Sequence, residues 1–153
     1  MSGMSRFAVA LRSGMIGAAA LTVCHETGRR VFSDAPRMDI LGMRAISRGI
    51  AMFTESRPPH SDQLHRITLA GDLIINSLYY SAVSASTEAA TWRRGVVLGA
   101  LAGAGALMLP ERMGLGTPPH IESSRNKILT VTLYLVGGVA AAAAANAMRR
   151  TSA

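Results

Sequence analysis

The 153-residue chain has a single cysteine, Cys24, few aromatic residues (5%) and one lysine, Lys127, among its sixteen basic residues. One cysteine excludes an internal disulfide and any Cys-x-x-Cys redox or metal motif. So few rings leave a soluble core of this length short of its usual large packing groups. Also missing are the Gly-x-Ser-x-Gly turn of a serine hydrolase and a glycine loop that cradles phosphate, so nothing points to nucleophilic catalysis or to a nucleotide cofactor. Acidic residues number nine, and the net charge is +7. A basic balance suits nucleic acid or anionic lipid. Here the arginines flank apolar segments, so anionic lipid headgroups are the expected partners and nucleic acid is not.

What is present in quantity is apolar: 49% of residues are hydrophobic, 16% are charged, and mean hydropathy is +0.26. Long runs of Gly and Ala suit close-packed helices in lipid. The composition predicts an all-α integral membrane protein in one domain, with four transmembrane helices and one amphipathic helix at the interface.

The stretch His65 to Thr87 organises the rest. At about 100° per residue, His65, Thr68, Asp72, Asn76, Tyr79 and Val83 fall on one line, with Ser77, Ser81 and Ser84 on the far side. An aspartate and an asparagine on one line of a lipid-embedded helix must face other helices or water.

In chain order, a first span is expected over about 7–24, a second over 67–86, a third over 95–109 and a fourth over 128–148. The fourth carries no charge. Gly17 pairs with Ser13 as a small-xxx-small step, and Gly95, Gly99 and Gly103 recur every four residues as a flat helix-packing face. Residues 36–55 read as the interfacial helix, with Arg37, Arg44, Arg48 and Glu55 on one sector and Met43, Ile46, Ile50 and Phe53 opposite. Asp39 falls within the apolar sector, so it either caps the first turn, which its N-terminal position favours, or reaches a partner. Ser61 or Asp62 is expected to cap the second span, and Glu111 to Lys127 reads as a loop. Pro58-Pro59-His60 recurs as Pro118-Pro119-His120, an echo that would divide the chain into two parallel helix pairs. The stretches His25–Ile46 and Ala70–Ser81 resemble segments of small bacterial membrane proteins; no named family and no activity attach to that resemblance.

Two groups are candidate sites. The first is the intramembrane line Asp72, Asn76, Tyr79 and His65. The second is an interfacial cluster, His25, Glu26, Arg29 and Arg30, in which Glu26 lies one turn from the arginines. No two histidines have the i, i+4 spacing of helical metal ligands, so no metal and no cofactor is expected. No catalytic residue is assigned, because His25, Glu26 and His65 have no nucleophile or metal to complete a site. The leading expectation is a structural or interaction component of a bacterial cytoplasmic membrane, its protein partner a second copy or another membrane protein. The alternative is a transporter or channel subunit with Asp72, Asn76 and Tyr79 on its path. A membrane-embedded enzyme ranks third. Loops one and three carry ten of the sixteen basic residues, which by the positive-inside rule puts both termini outside the cytoplasm.

Overall fold

The computed structural model describes residues 3–53, 60–85 and 87–151. All regular structure among them is helical: α1 (Gly3–Val31), α2 (Met38–Phe53), α3 (Ser61–Ser81), α4 (Glu88–Arg112) and α5 (Ser124–Arg150), with a 3-10 turn over Ala82–Ser84 continuing α3. Pro58 and Pro59 of the Pro-Pro-His echo and the last two residues of the expected interfacial helix lie outside the described residues.

Several helices run past their apolar stretches, since backbone hydrogen bonding does not stop where side chains turn polar. Thus α1 takes in His25 to Arg30, and α4 begins at Glu88 and carries Trp92, Arg93 and Arg94 within it. It also continues through Pro110 to Arg112, because a proline so near the end deprives the helix of little hydrogen bonding. Ser61 and Asp62 do not cap α3. They lie inside it, and the capping position is held by His60 without a side-chain bond. The side chain that does cap a helix is Ser123, which accepts from the Asn126 amide at 3.2 Å at the start of α5.

The long helices pack in the order α3, α1, α5, α4, each neighbouring pair antiparallel. The reason is residue size. A Cβ built on Gly95 would stand 2.5 Å from the Gly138 carbonyl oxygen, one on Gly99 2.8 Å from the Leu135 Cα, and one on Gly103 2.7 Å from the Val131 Cα. The backbones of α4 and α5 therefore touch. On the other side of α5, Gly17 of α1 sits 2.7 Å, measured the same way, from the Gly137 carbonyl. Gly14 of α1 meets the backbone of α3 at Ser77 and Ser81. Ser77, on the side of α3 opposite the polar line, is buried, because the small serine side is the one that α1 can approach. α3 and α4 meet more loosely, with the Tyr79 hydroxyl donating to the Leu98 carbonyl at 2.9 Å.

Much of the interior is made of small and polar groups: Ser13, Ala18, Thr91, Thr130, Ala141, Ala142 and Ala145 are all buried, and Leu21, Tyr80 and Val83 are among the larger side chains buried with them. Large apolar side chains point outward on every long helix, among them Ile16, Ile74, Leu78, Val97, Leu101 and Val136. By length and composition, two helices are apolar enough to cross a bilayer, Ser5–Val31 and Ser124–Arg150. α3 is interrupted by Asp62, His65, Arg66 and Asp72, and the apolar run of α4 from Gly95 to Leu109 spans only about 22 Å at 1.5 Å per residue.

α2 lies across the end of the bundle where α1 finishes and α3 begins. Gly42 meets the Thr68 methyl of α3, and Leu41 is buried. Arg44 donates to the carbonyls of Leu115 and Thr117 at 3.0 and 3.1 Å, and Arg48 to that of Met113 at 3.0 Å. Two arginines of the expected charged sector thus bind the carbonyls that follow α4, where helix ends leave acceptors unfilled. α2 is a strap from α3 to the segment joining α4 and α5.

The packing predicts opposite responses to one chemical change. Gly99→Ala or Gly103→Ala drives a methyl into the backbone of α5 and should cost about 1–3 kcal/mol. Gly71→Ala, where a Cβ meets nothing within 4 Å, should gain up to about 1 kcal/mol through helix propensity. Thermal unfolding in detergent reads both, and a silent Gly99→Ala would contradict the backbone contact.

Candidate functional site

The strapped end gathers charge. On α1, Glu26 and Arg29 stand one turn apart and pair at 2.7 Å. Pro36 ends the linker from α1, and the chain then enters α2 with Arg37 and Asp39 side by side. Arg37 grips Asp39 with both arms of its guanidinium, Nε to Oδ1 and Nη2 to Oδ2, each at 2.9 Å. Such a forked pair is the strongest common side-chain hydrogen bond. Arg29 and the His65 Nδ1 each stand 3.9 Å from the same carboxylate. Asp39 is 3% exposed. Burial acts to raise its pKa, but the Arg37 hydrogen bonds and the charges of Arg37, Arg29 and His25 outweigh it, so the carboxyl lies below its ordinary value. Asp39 is therefore no helix cap. It reaches partners on α1 and α3, and its place in an apolar sector is explained by its burial.

Beneath Asp39 is a cavity of about 50 Å³. One water needs roughly 10–15 Å³ by this measure, so the space suits a few waters or one small polar group and excludes a metabolite. Its polar lining comes from His25 of α1, Asp39 of α2, Asp72 and Asn76 of α3, and Thr130 and Tyr134 of α5. Some of these groups are already committed: the Asn76 amide nitrogen donates to the Asp72 carbonyl at 2.8 Å, and the Thr130 hydroxyl to that of Asn126 at 2.9 Å. The Asp72 carboxylate receives no hydrogen bond from the described residues. His25 Nε2, Glu26 Oε1 and Arg29 Nε are also buried without partners among them.

The two groups singled out in the sequence, about forty residues apart, thus converge. Asp72 and Asn76 line the cavity, His65 stands at its roof beside Asp39, and Tyr79 turns away to α4. From the other group His25 lines the cavity, Glu26 and Arg29 pair beside it, and Arg30 is exposed. Asp39, which joins the groups, was missing from both. Its sequence signal was an acid on the apolar side of an amphipathic helix. His60 and His120 are exposed, and among the described residues no cluster of His, Cys, Asp or Glu is placed to hold a metal ion.

Toward the opposite end the bundle closes. Fully buried Ala18, Ala141, Ala142 and Ala145 fill the middle, and the Tyr80 hydroxyl donates to the Tyr134 carbonyl at 2.8 Å. At the far rim Arg149 donates to Thr91 at 2.9 Å and to the Ser84 carbonyl, while Arg150 pairs with Glu88. The cavity therefore belongs to the strapped end alone. Beside it, between α3 and α4, runs a larger apolar groove of about 360 Å³. No protein-family model, no curated protein and no solved structure matches this chain.

Asp39→Asn keeps the shape and leaves Arg37 without its counter-charge; loss of a paired buried charge should weaken α2 docking by about 2–3 kcal/mol. Because the folded carboxyl titrates below its unfolded value, this contribution is present above the ordinary carboxylate range and fades as pH falls through the lowered one. Amide hydrogen exchange along α2 should be faster in the variant at neutral pH, and the two proteins should converge in strong acid. Equal protection at neutral pH would contradict the role given to Asp39.

Proposed function

We propose that all four long helices lie in a bilayer, with α2 strapped over one surface, and that the protein is a small transport or channel subunit that takes up a proton or small cation at Asp72. The supporting observation is the carboxylate of Asp72 beside a polar cavity, without a donor from the described residues, in a bundle whose outer faces are apolar. An intramembrane acid is costly to keep and is commonly tied to ion or proton handling. The outward faces of α3 and α4, with Ile74, Leu78, Val97 and Leu101 exposed, support placing them in lipid although their charged ends make the apolar runs short. Closure beyond the cavity fits a carrier seen from one side better than an open pore. A multi-pass bacterial cytoplasmic membrane protein, with the strapped end inside, is the matching localisation.

A structural or interaction role is the second reading. It is favoured by Met52 and Phe53, 73% and 88% exposed at the end of α2, an apolar tip that a second copy or another membrane protein would cover.

Asp72→Asn separates the two readings, because it preserves shape and hydrogen bonding and removes the titratable charge. In reconstituted vesicles, the unmutated protein should carry a pH-dependent proton or cation flux and Asp72→Asn should abolish it without lowering thermal stability. Absence of flux in the unmutated protein would sink the transport reading and leave the structural one.

A further inference from the structure

Asn76 and Tyr134 belong to two spaces at once. On one side they line the polar cavity with Asp72 and His25. On the other they line the groove between α3 and α4, whose remaining walls include Ile75, Leu101, Ala102 and Leu109. That groove follows α4 from Leu101 to Met113, about 18 Å at 1.5 Å per residue. Ile75 and Leu101 on its walls are 67% and 60% exposed, so in a bilayer the groove opens to acyl chains. A small polar chamber that shares Asn76 and Tyr134 as wall with a long apolar groove has the outline of a head and a tail.

Charge selects the head. Three carboxylates surround the chamber, Glu26, Asp39 and Asp72, against two guanidiniums. Arg37 takes both oxygens of Asp39 and Arg29 pairs with Glu26, which leaves Asp72 with no cationic partner among the described residues. The remaining titratable groups there are His25 and His65 and the phenol of Tyr134; α4 and α5 bring no charged side chain to the lining. The Asn76 amide nitrogen is already engaged, so its oxygen is the second acceptor beside the carboxylate. Size then restricts the head further, since about 50 Å³ admits an ammonium and excludes a phosphate ester or a sugar. An ammonium has three donors to share between these acceptors. The tail gains little by leaving lipid for an equally apolar groove, so discrimination has to lie in the head.

We propose that the Asp72 chamber and the α3–α4 groove together bind a single-chain amphiphile with a primary ammonium head, entering sideways from the bilayer. This rests on reading Asp72 as a cation-binding carboxylate in a membrane-embedded bundle. The probe is dodecylamine carrying a photoreactive diazirine in its chain, applied to the full chain in phosphatidylcholine vesicles, with the crosslinks mapped by peptide mass spectrometry.

Crosslinks should concentrate on the groove walls, Ile75, Leu101 and Ala102, and be displaced by dodecylamine but not by dodecanol or dodecanoate. Asp72→Asn should reduce them about tenfold or more, the scale of one charge-assisted hydrogen bond. Ala102→Phe, which fills the groove and leaves the chamber, should abolish them while the protein keeps its thermal stability. Labelling spread equally over the outer face of α1, equal displacement by dodecanol, or full labelling of Asp72→Asn would each overturn the proposal. A proton flux that depends on Asp72, measured in the same vesicles, would then show that the amphiphile site has failed while the cation-binding reading stands.

Discussion

Two helices can bring their backbones into contact only where at least one of them carries no side chain at the crossing. α5 meets that condition on both flanks. Gly95, Gly99 and Gly103 of α4 lie against its backbone on one side, and Gly17 of α1 lies against Gly137 on the other. Everything else in the bundle follows from this closeness. With much of the bundle's middle given to glycine and alanine, only a few large side chains, Leu21, Tyr80 and Val83 among them, are buried there, and many Ile, Leu and Val stand outward. Such an exterior suits lipid, and two of the helices are long and apolar enough to cross a bilayer. Dispersion between closely approaching backbones adds to the burial of Leu21, Tyr80 and Val83 in holding the core together.

The same rule locates the cavity. Alanine fills the middle of the bundle between α1 and α5, and the lining changes to His25, Asp72, Asn76 and Thr130 toward the strapped end. Polar side chains at that depth require either mutual partners or a polar guest. Asp39 has obtained partners from Arg37, Arg29 and His65, while Asp72 has obtained none from the described residues. α2 matters because it holds the first of these acids over the second. Its own attachment depends on Arg44 and Arg48 reaching carbonyls beyond α4, so the site is assembled from segments at both ends of the sequence.

Much of this was legible in the sequence, and the reasons are specific. Helix formation followed from long Gly, Ala and Leu runs, and the polar line from the spacing of His65, Asp72 and Asn76. Helix ends were read short because hydropathy marks where apolar side chains stop, and the α1 backbone continues past that point through Arg30. Asp39 was read as a cap because local position is all a sequence offers; its partners come from α1 and α3 and depend on how the strap docks. That the serine side of α3 is the one packed on α1 is not legible, because periodicity separates two faces without saying which one a glycine on another helix can approach. That Tyr79 turns away to Leu98 depends on the loose seam between α3 and α4, which no pattern in either helix records.

α3 and α4, whose apolar runs are the shortest, are proposed to share the bilayer with α1 and α5. Site-directed spin labels on α3, in a Cys24→Ser background, measure this directly by collision with oxygen and with a water-soluble nickel chelate. At Ile74 and Leu78, in lipid vesicles, oxygen should collide freely and the chelate should not, and at Ser77 both should be excluded by α1. Free access of the chelate to Ile74 and Leu78 would place α3 in water and contradict the account.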